Sequence, residues 1–156
     1  MKKIIIILTL FSIDRITKIY LLNLQSTGTD IDFYIYPFLN IFLVWNSGIS
    51  FGLLSMDANI SYHILSMIIT FVNILLIYFM FSYRNKKISY MISFILGGSL
   101  GNLFDRIYYY SVPDFIDFHI GNFHWFTFNV ADIFITIGII GLIFLEIFNR
   151  KNLKNV

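Results

Sequence analysis

Residues 60–87 read ISYHILSMIITFVNILLIYFMFSYRNKK, and the two parts of that stretch decide the fold. Residues 60–82 hold no Asp, Glu, Lys or Arg. At about 1.5 Å of rise per residue, a helix of that length spans a bilayer hydrocarbon core of about 30 Å. Arg84, Lys86 and Lys87 follow at once, the basic signature of a short turn on the cytoplasmic side.

Working outward, three further stretches are long enough to cross: 4–24, 88–106 and 128–148. Residues 4–24 follow Lys2 and Lys3 and imitate a signal peptide, but no small-residue cleavage pattern succeeds them, so they read as a retained helix. Lys2, Lys3, Arg84, Lys86, Lys87, Arg150, Lys151 and Lys154 all fall on one side of a four-span arrangement. The connections 25–59 and 107–127 contain no Lys or Arg. The expectation is one membrane domain over 1–156, multi-pass, with both termini cytoplasmic and both long loops outward.

Composition agrees. The 156 residues are 58% hydrophobic and only 13% charged, against about 25% charged in a soluble domain. With no cysteine, disulfide and thiolate chemistry are excluded. No basic run interleaved with aromatics suggests a nucleic-acid partner, and no Gly-rich phosphate loop is present. The first outward loop, Ile31 to Asn46, is rich in aromatic and β-branched residues broken by Pro37, which suits short strands at the membrane surface. Residues 49–56 are apolar but too short to span, so they read as an interfacial or re-entrant piece. The second loop, with IYYYS at one end and FHWFTF at the other, reads as an aromatic belt at headgroup depth.

Ionisable groups at membrane depth are costly, so each is a candidate for function. Asp14 and Lys18 are four apart in the favourable order and suit a tie between helices. Asn102, Asp105 and Arg106 end the third segment, where Arg106 is the expected partner of Asp105. Gly97 and Gly101 form a small-residue face for a close helix, within one chain or between two. Asn129 and Asp132 read as a helix N-cap with an acidic third residue. Asp114, stiffened by Pro113, lies 18 residues before Asp132. Two such carboxylates at one depth would share a proton, one activating water while the other polarises a carbonyl, as in an aspartic protease. Asp117 reads as a residue of the solvated loop surface or one held by a local hydrogen bond. His63, His119 and His124 lack clustered partners, and no metal site is expected.

These motifs together resemble the lipoprotein signal peptidases, the bacterial signal peptidase II family. The resemblance rests on D14-R-I-T-K18, N46-S-G-I-S-F-G52, G101-N-L-F-D-R106, V112-P-D-F115 and F128-N-V-A-D132, in order along the chain. It implies an all-α integral membrane protein: four transmembrane helices with a small outward β-cradle and a short interfacial half-helix. It implies an intramembrane aspartic endopeptidase of the inner membrane, with its active site near the outer face. Asp114 and Asp132 would be the catalytic pair, with Asn46, Gly48, Asn102, Arg106 and Asn129 lining the site. Asp14, Lys18 and Asp105 would be polar motif positions. The implied substrate is a diacylglyceryl-modified prolipoprotein cut just before its lipidated cysteine, with globomycin-type peptides as inhibitors. Membrane lipid is the other expected partner; no cofactor, metal or nucleic acid is, and the chain is expected to act as a monomer. Arg15, Ser50 and Pro113 depart from common family residues. The alternative is a small proton-coupled transporter component, but its relay would need polar groups at several depths, whereas these gather at the outer side.

Overall fold

The computed structural model describes residues 1–48, 58–121 and 123–154. Each apolar stretch becomes a long helix: α1 Lys2–Ser26, α2 Ala58–Ser82, α3 Lys86–Tyr109 and α4 Val130–Lys154. Tyr62–Ser82 and Val130–Phe148 are long and apolar enough to cross a membrane, with mean hydropathy 2.4 and 2.3, and only 11% of each is buried inside the protein. Ile68, Phe71, Ile74, Ile140, Ile143 and Phe144 all point outward. Helices that bury so little of so apolar a surface need an apolar surrounding.

Helix α3 is the hub, packed against α1, α2 and α4. Small residues make this possible. A Cβ on Gly97 would lie 2.8 Å from the Leu10 Cβ, and one on Gly101 would meet the Asp14 carboxylate. The small-residue face therefore serves packing within this chain, against α1. On another side, Met80, Ile92 and Leu96 form a buried cluster between α2 and α3. At the basic end, Lys3 Nζ donates to the Met80 carbonyl at 2.7 Å, which satisfies one of the free carbonyls of α2's last turn. Asn85 caps α3 by accepting from the Lys87 N–H at 2.9 Å. At the opposite end the Tyr62 hydroxyl donates to the Arg106 carbonyl and ties α2 to the last turn of α3.

That opposite end carries a four-stranded antiparallel sheet in the order β1-β2-β3-β4. Its strands are β1 Asp32–Tyr36, β2 Leu39–Asn46, β3 Val112–Ile120 and β4 Phe123–Phe128. The strands expected in the first loop are present, with Pro37 in the turn between them. The β-cradle that the resemblance implied is this sheet, and the second loop adds to it what the sequence reading did not foresee: its aromatic residues lie on a β-hairpin, so the sheet draws on both loops. Leu21 of α1, Ile31 and Phe115 form the core that seats the sheet on the helices. The half-helix expected at 49–56 lies outside the described residues.

Candidate active site

The β3–β4 hairpin explains how 18 residues return the chain to Asp114. Ile116 pairs with Phe128, so strand pairing ends there and Asn129 emerges beside the start of β3. Helix α4 begins at the next residue and places Asp132 in its first turn. Asn129 and Asp132 form a reciprocal capping box: Asp132 N–H donates to Asn129 Oδ1 at 3.1 Å, and Asn129 N–H donates to Asp132 Oδ2 at 3.1 Å.

Asn129 does more than cap. Its Nδ2 donates to Asp114 Oδ1 at 2.6 Å, so one buried asparagine reaches both carboxylates, Asp114 through its side chain and Asp132 through its own backbone N–H. Asn46, at the end of β2, donates through Nδ2 to Asp114 Oδ2 at 2.9 Å. Asn102, on α3, donates through Nδ2 to Asp132 Oδ1 at 2.8 Å. In each asparagine the amide oxygen is held by a different donor, which fixes which end faces the carboxylate. Those donors are Asp132 N–H for Asn129, Gly48 N–H for Asn46 at 2.8 Å, and Lys18 Nζ for Asn102 at 2.9 Å. Burial pushes the Asp114 carboxyl above the usual carboxylate range; the two asparagine donors pull it back, and the neighbouring Asp132 adds to the rise.

Beneath this pair lies a second polar cluster between α1 and α3. Lys18 Nζ, wholly buried, donates to Asp14 Oδ2 at 2.9 Å and to Asp105 Oδ2 at 2.7 Å. Arg15 pairs with the other oxygen of Asp105 and lies 4.6 Å over the Phe104 ring. Asp14 Oδ1 accepts the Ala131 N–H at 3.0 Å, an otherwise free donor in the first turn of α4. The expected Asp105–Arg106 pair is therefore corrected: Asp105 is neutralised from α1. Residues adjacent on a helix do not face each other. Sequence reasoning took Arg15 only as a departure from the family pattern and missed its role here.

Arg106 instead turns towards the carboxylates, in electrostatic reach of both Asp114 and Asp132. It donates through Nη1 to the Asn102 carbonyl at 3.2 Å, while its buried Nε has no hydrogen-bond partner among the described residues. Gly48, at φ +76°, sits against it: a Cβ there would lie 3.9 Å from Arg106 Nη2 and only 2.6 Å from Leu65 Cδ2. The structure thus gathers Asn46, Gly48, Asn102, Arg106, Asp114, Asn129 and Asp132 at one place, with Asp14, Lys18 and Asp105 immediately behind.

Asp117 and the histidines correct the sequence reading. Asp117 is buried at 1% exposure rather than solvated, and the local hydrogen bond is the alternative that holds: His124 Nδ1 lies 2.7 Å from its Oδ2. His119 and His124 face each other across β3 and β4, so the two do have clustered partners.

Known proteins match nearly the whole chain. The family model of signal peptidase (SPase) II matches residues 6–148. The lipoprotein signal peptidase of Pelagibacter ubique (strain HTCC1062) is 50% identical, covering 97% of this chain and 92% of that protein. That of Aquifex aeolicus (strain VF5) is 38% identical, covering 97% and 89%. A bacterial membrane enzyme solved by the in meso method at 2.3 Å superposes with a TM-score of 0.75 at 32% identity, over 97% of this chain and 90% of that one. With the family model spanning nearly all of it and half its residues shared with a full-length relative, the chain belongs to the signal peptidase II family.

Proposed function

We propose that the protein is an aspartic endopeptidase that removes the signal peptide from diacylglyceryl-modified prolipoproteins, with Asp114 and Asp132 as its catalytic pair. The observation that carries the reading is Asn129, which donates to one carboxylate and accepts from the backbone N–H of the other. Its neutral amide fixes the spacing of two acids without neutralising either, so the pair can hold one proton between them. Burial favours Asp114 as the proton's holder, polarising the scissile carbonyl. Asp132 then takes a proton from the attacking water, and that proton passes to the departing amine as the tetrahedral intermediate collapses. Arg106, with a buried Nε free of protein partners among the described residues, is placed to donate to a carbonyl of the bound peptide. The substrate class follows the relatives, which are named as lipoprotein signal peptidases.

All four helices cross the bacterial membrane in this proposal, with segments close to 4–24, 60–82, 88–106 and 128–148. Both termini are cytoplasmic and the carboxylates lie near the outer face. The charges of α1 and α3 are turned inward onto one another, which leaves apolar side chains such as Leu8, Ile16 and Ile107 to meet lipid. The test uses purified protein in detergent with a diacylglyceryl-modified precursor and its unlipidated twin. Only the lipidated form is expected to be cut, before the modified cysteine, and Asp114→Asn or Asp132→Asn should lower the rate by about a hundredfold or more with helix content unchanged. Normal cleavage by either variant would sink the assignment.

A further inference from the structure

Three groups of the outer hairpin converge away from the carboxylate pair. Asp117 and His119 lie on β3, and His124 lies opposite His119 on β4. One ligand atom from each falls within 4.8 Å of the other two. The two imidazole rings stack at 5.3 Å. Asp117 is 1% exposed and His119 7%, whereas the His124 side chain is 59% exposed. Asp117 has its own restraint, with Thr127 Oγ1 donating to Oδ1 at 3.5 Å.

The buried His119 Nδ1 is the decisive atom. It has no hydrogen-bond partner among the described residues, and at 3.4 Å from Asp117 Oδ2 it is in electrostatic range without the geometry of a bond. A buried ring nitrogen without a partner is costly, and a metal ion is one way to satisfy it. Two imidazole nitrogens and one carboxylate oxygen are the donor set of an open zinc site, with the remaining position left to water. Bonds of about 2.0–2.2 Å put tetrahedral ligand atoms about 3.3 Å apart. The 3.4 Å between His119 Nδ1 and Asp117 Oδ2 already fits, while the 2.7 Å from His124 Nδ1 to the same oxygen must lengthen on binding, a small shift for a side chain that is 59% exposed.

We infer that Asp117, His119 and His124 form a binding site for a divalent transition metal of the zinc class, clipping β3 to β4. The site is separate from the chemistry: Asp114 and Asp117 are three apart on one strand, so their side chains leave opposite faces. What the ion holds is the hairpin that carries Asp114 at one end and delivers Asn129 at the other. The inference does not rest on the proposed peptidase mechanism.

The experiment is equilibrium dialysis of untagged protein in detergent against zinc, with Co(II) absorption as an independent report of coordination. One zinc per chain is expected at roughly micromolar free metal, with tetrahedral Co(II) bands. Binding should weaken roughly tenfold or more in His119→Gln and His124→Gln, and persist in the Asp114→Asn/Asp132→Asn double variant. Metal should also raise the thermal midpoint of the wild type but not of His124→Gln. Zinc uptake by His124→Gln equal to wild type overturns the site, as does uptake lost with the catalytic pair instead. Should His119→Gln fail to fold, His124→Gln decides alone, because its side chain is mostly in solvent.

Discussion

Two carboxylate pairs sit one behind the other at the same end of the molecule, and they are compensated in opposite ways. Asp14 and Asp105 face Lys18 and Arg15, two anions against two cations. Asp114 and Asp132 face three asparagines, which supply hydrogen bonds but no charge. A paired cation strongly favours the ionised carboxylate, whereas amide donors favour it more weakly and also orient it, with Arg106 in electrostatic reach but not paired as Lys18 and Arg15 are. The first cluster holds helices together. The second holds Asp114 and Asp132, the proposed catalytic pair, in a set geometry through neutral donors. Lys18 couples them, because the ammonium that neutralises Asp105 also turns the Asn102 amide towards Asp132.

The contrast breaks most visibly in the charged cluster. Asp105→Ala leaves Arg15 and Lys18 buried against Asp14 alone, and unfolding in detergent should show a loss of about 3–5 kcal/mol. A loss no larger than that of an exposed control substitution would mean that the cluster is not what ties α1 to α3. Next comes the neutral cluster. Asn129→Ala removes a donor from Asp114 and the cap from α4, and should slow cleavage of a lipidated precursor by about ten- to a hundredfold. Stability should fall by only about 1 kcal/mol, since the cap is a single one. Equal effects on rate and stability, in units of free energy, would erase the distinction between the clusters.

Gly48→Ala probes the junction. At φ +76° any side chain is strained, and this one would also press on Leu65. Strain of about 1–3 kcal/mol is expected in thermal unfolding, with a higher KM as Arg106 shifts. The smallest effect concerns pH. Asp114 has a raised folded-state pKa, so the native protein holds its proton more tightly than the unfolded chain does. The penalty is absent below the unfolded value of 3.8 and grows as pH rises towards the folded value, beyond which it is fully present. Asp114→Asn should therefore raise the thermal midpoint at about pH 8 and leave it unchanged at about pH 4. A variant less stable than wild type at the higher pH would show that the carboxylate stabilises the site.

Much of this was legible in the sequence for a physical reason. Long apolar runs almost free of charge have one stable form in lipid, so α2 and α4 could be read from hydrophobicity alone, whereas α1 and α3 carry charges within their apolar runs. The Asn129–Asp132 box and the Asp14–Lys18 pair follow from local helix geometry. Links across the fold were harder: Lys18 and Asp105 are 87 positions apart, and no spacing rule connects them. The β3–β4 hairpin was readable and was missed. Gly121-Asn122 separates two β-prone runs by two residues, a strong hairpin signal, and Gly121 takes a φ of +57° there. The dense aromatics of FHWFTF pointed to a membrane belt and obscured it. Asp117 and the two histidines were misjudged for that reason, since only the strand register brings them together.

The bond from Asp14 to the Ala131 N–H has a consequence for how the chain is made. Before the other helices are made, Asp14 and Lys18 can already pair along one face of α1, while Arg15 waits for Asp105 of α3. The second oxygen of Asp14 then waits through more than a hundred residues of translation. It is satisfied only when the first turn of α4 arrives, the same turn that brings Asp132. The turn whose N–H completes the hydrogen bonding of Asp14 is thus the turn that carries Asp132, so docking α4 on α1 also positions that carboxylate.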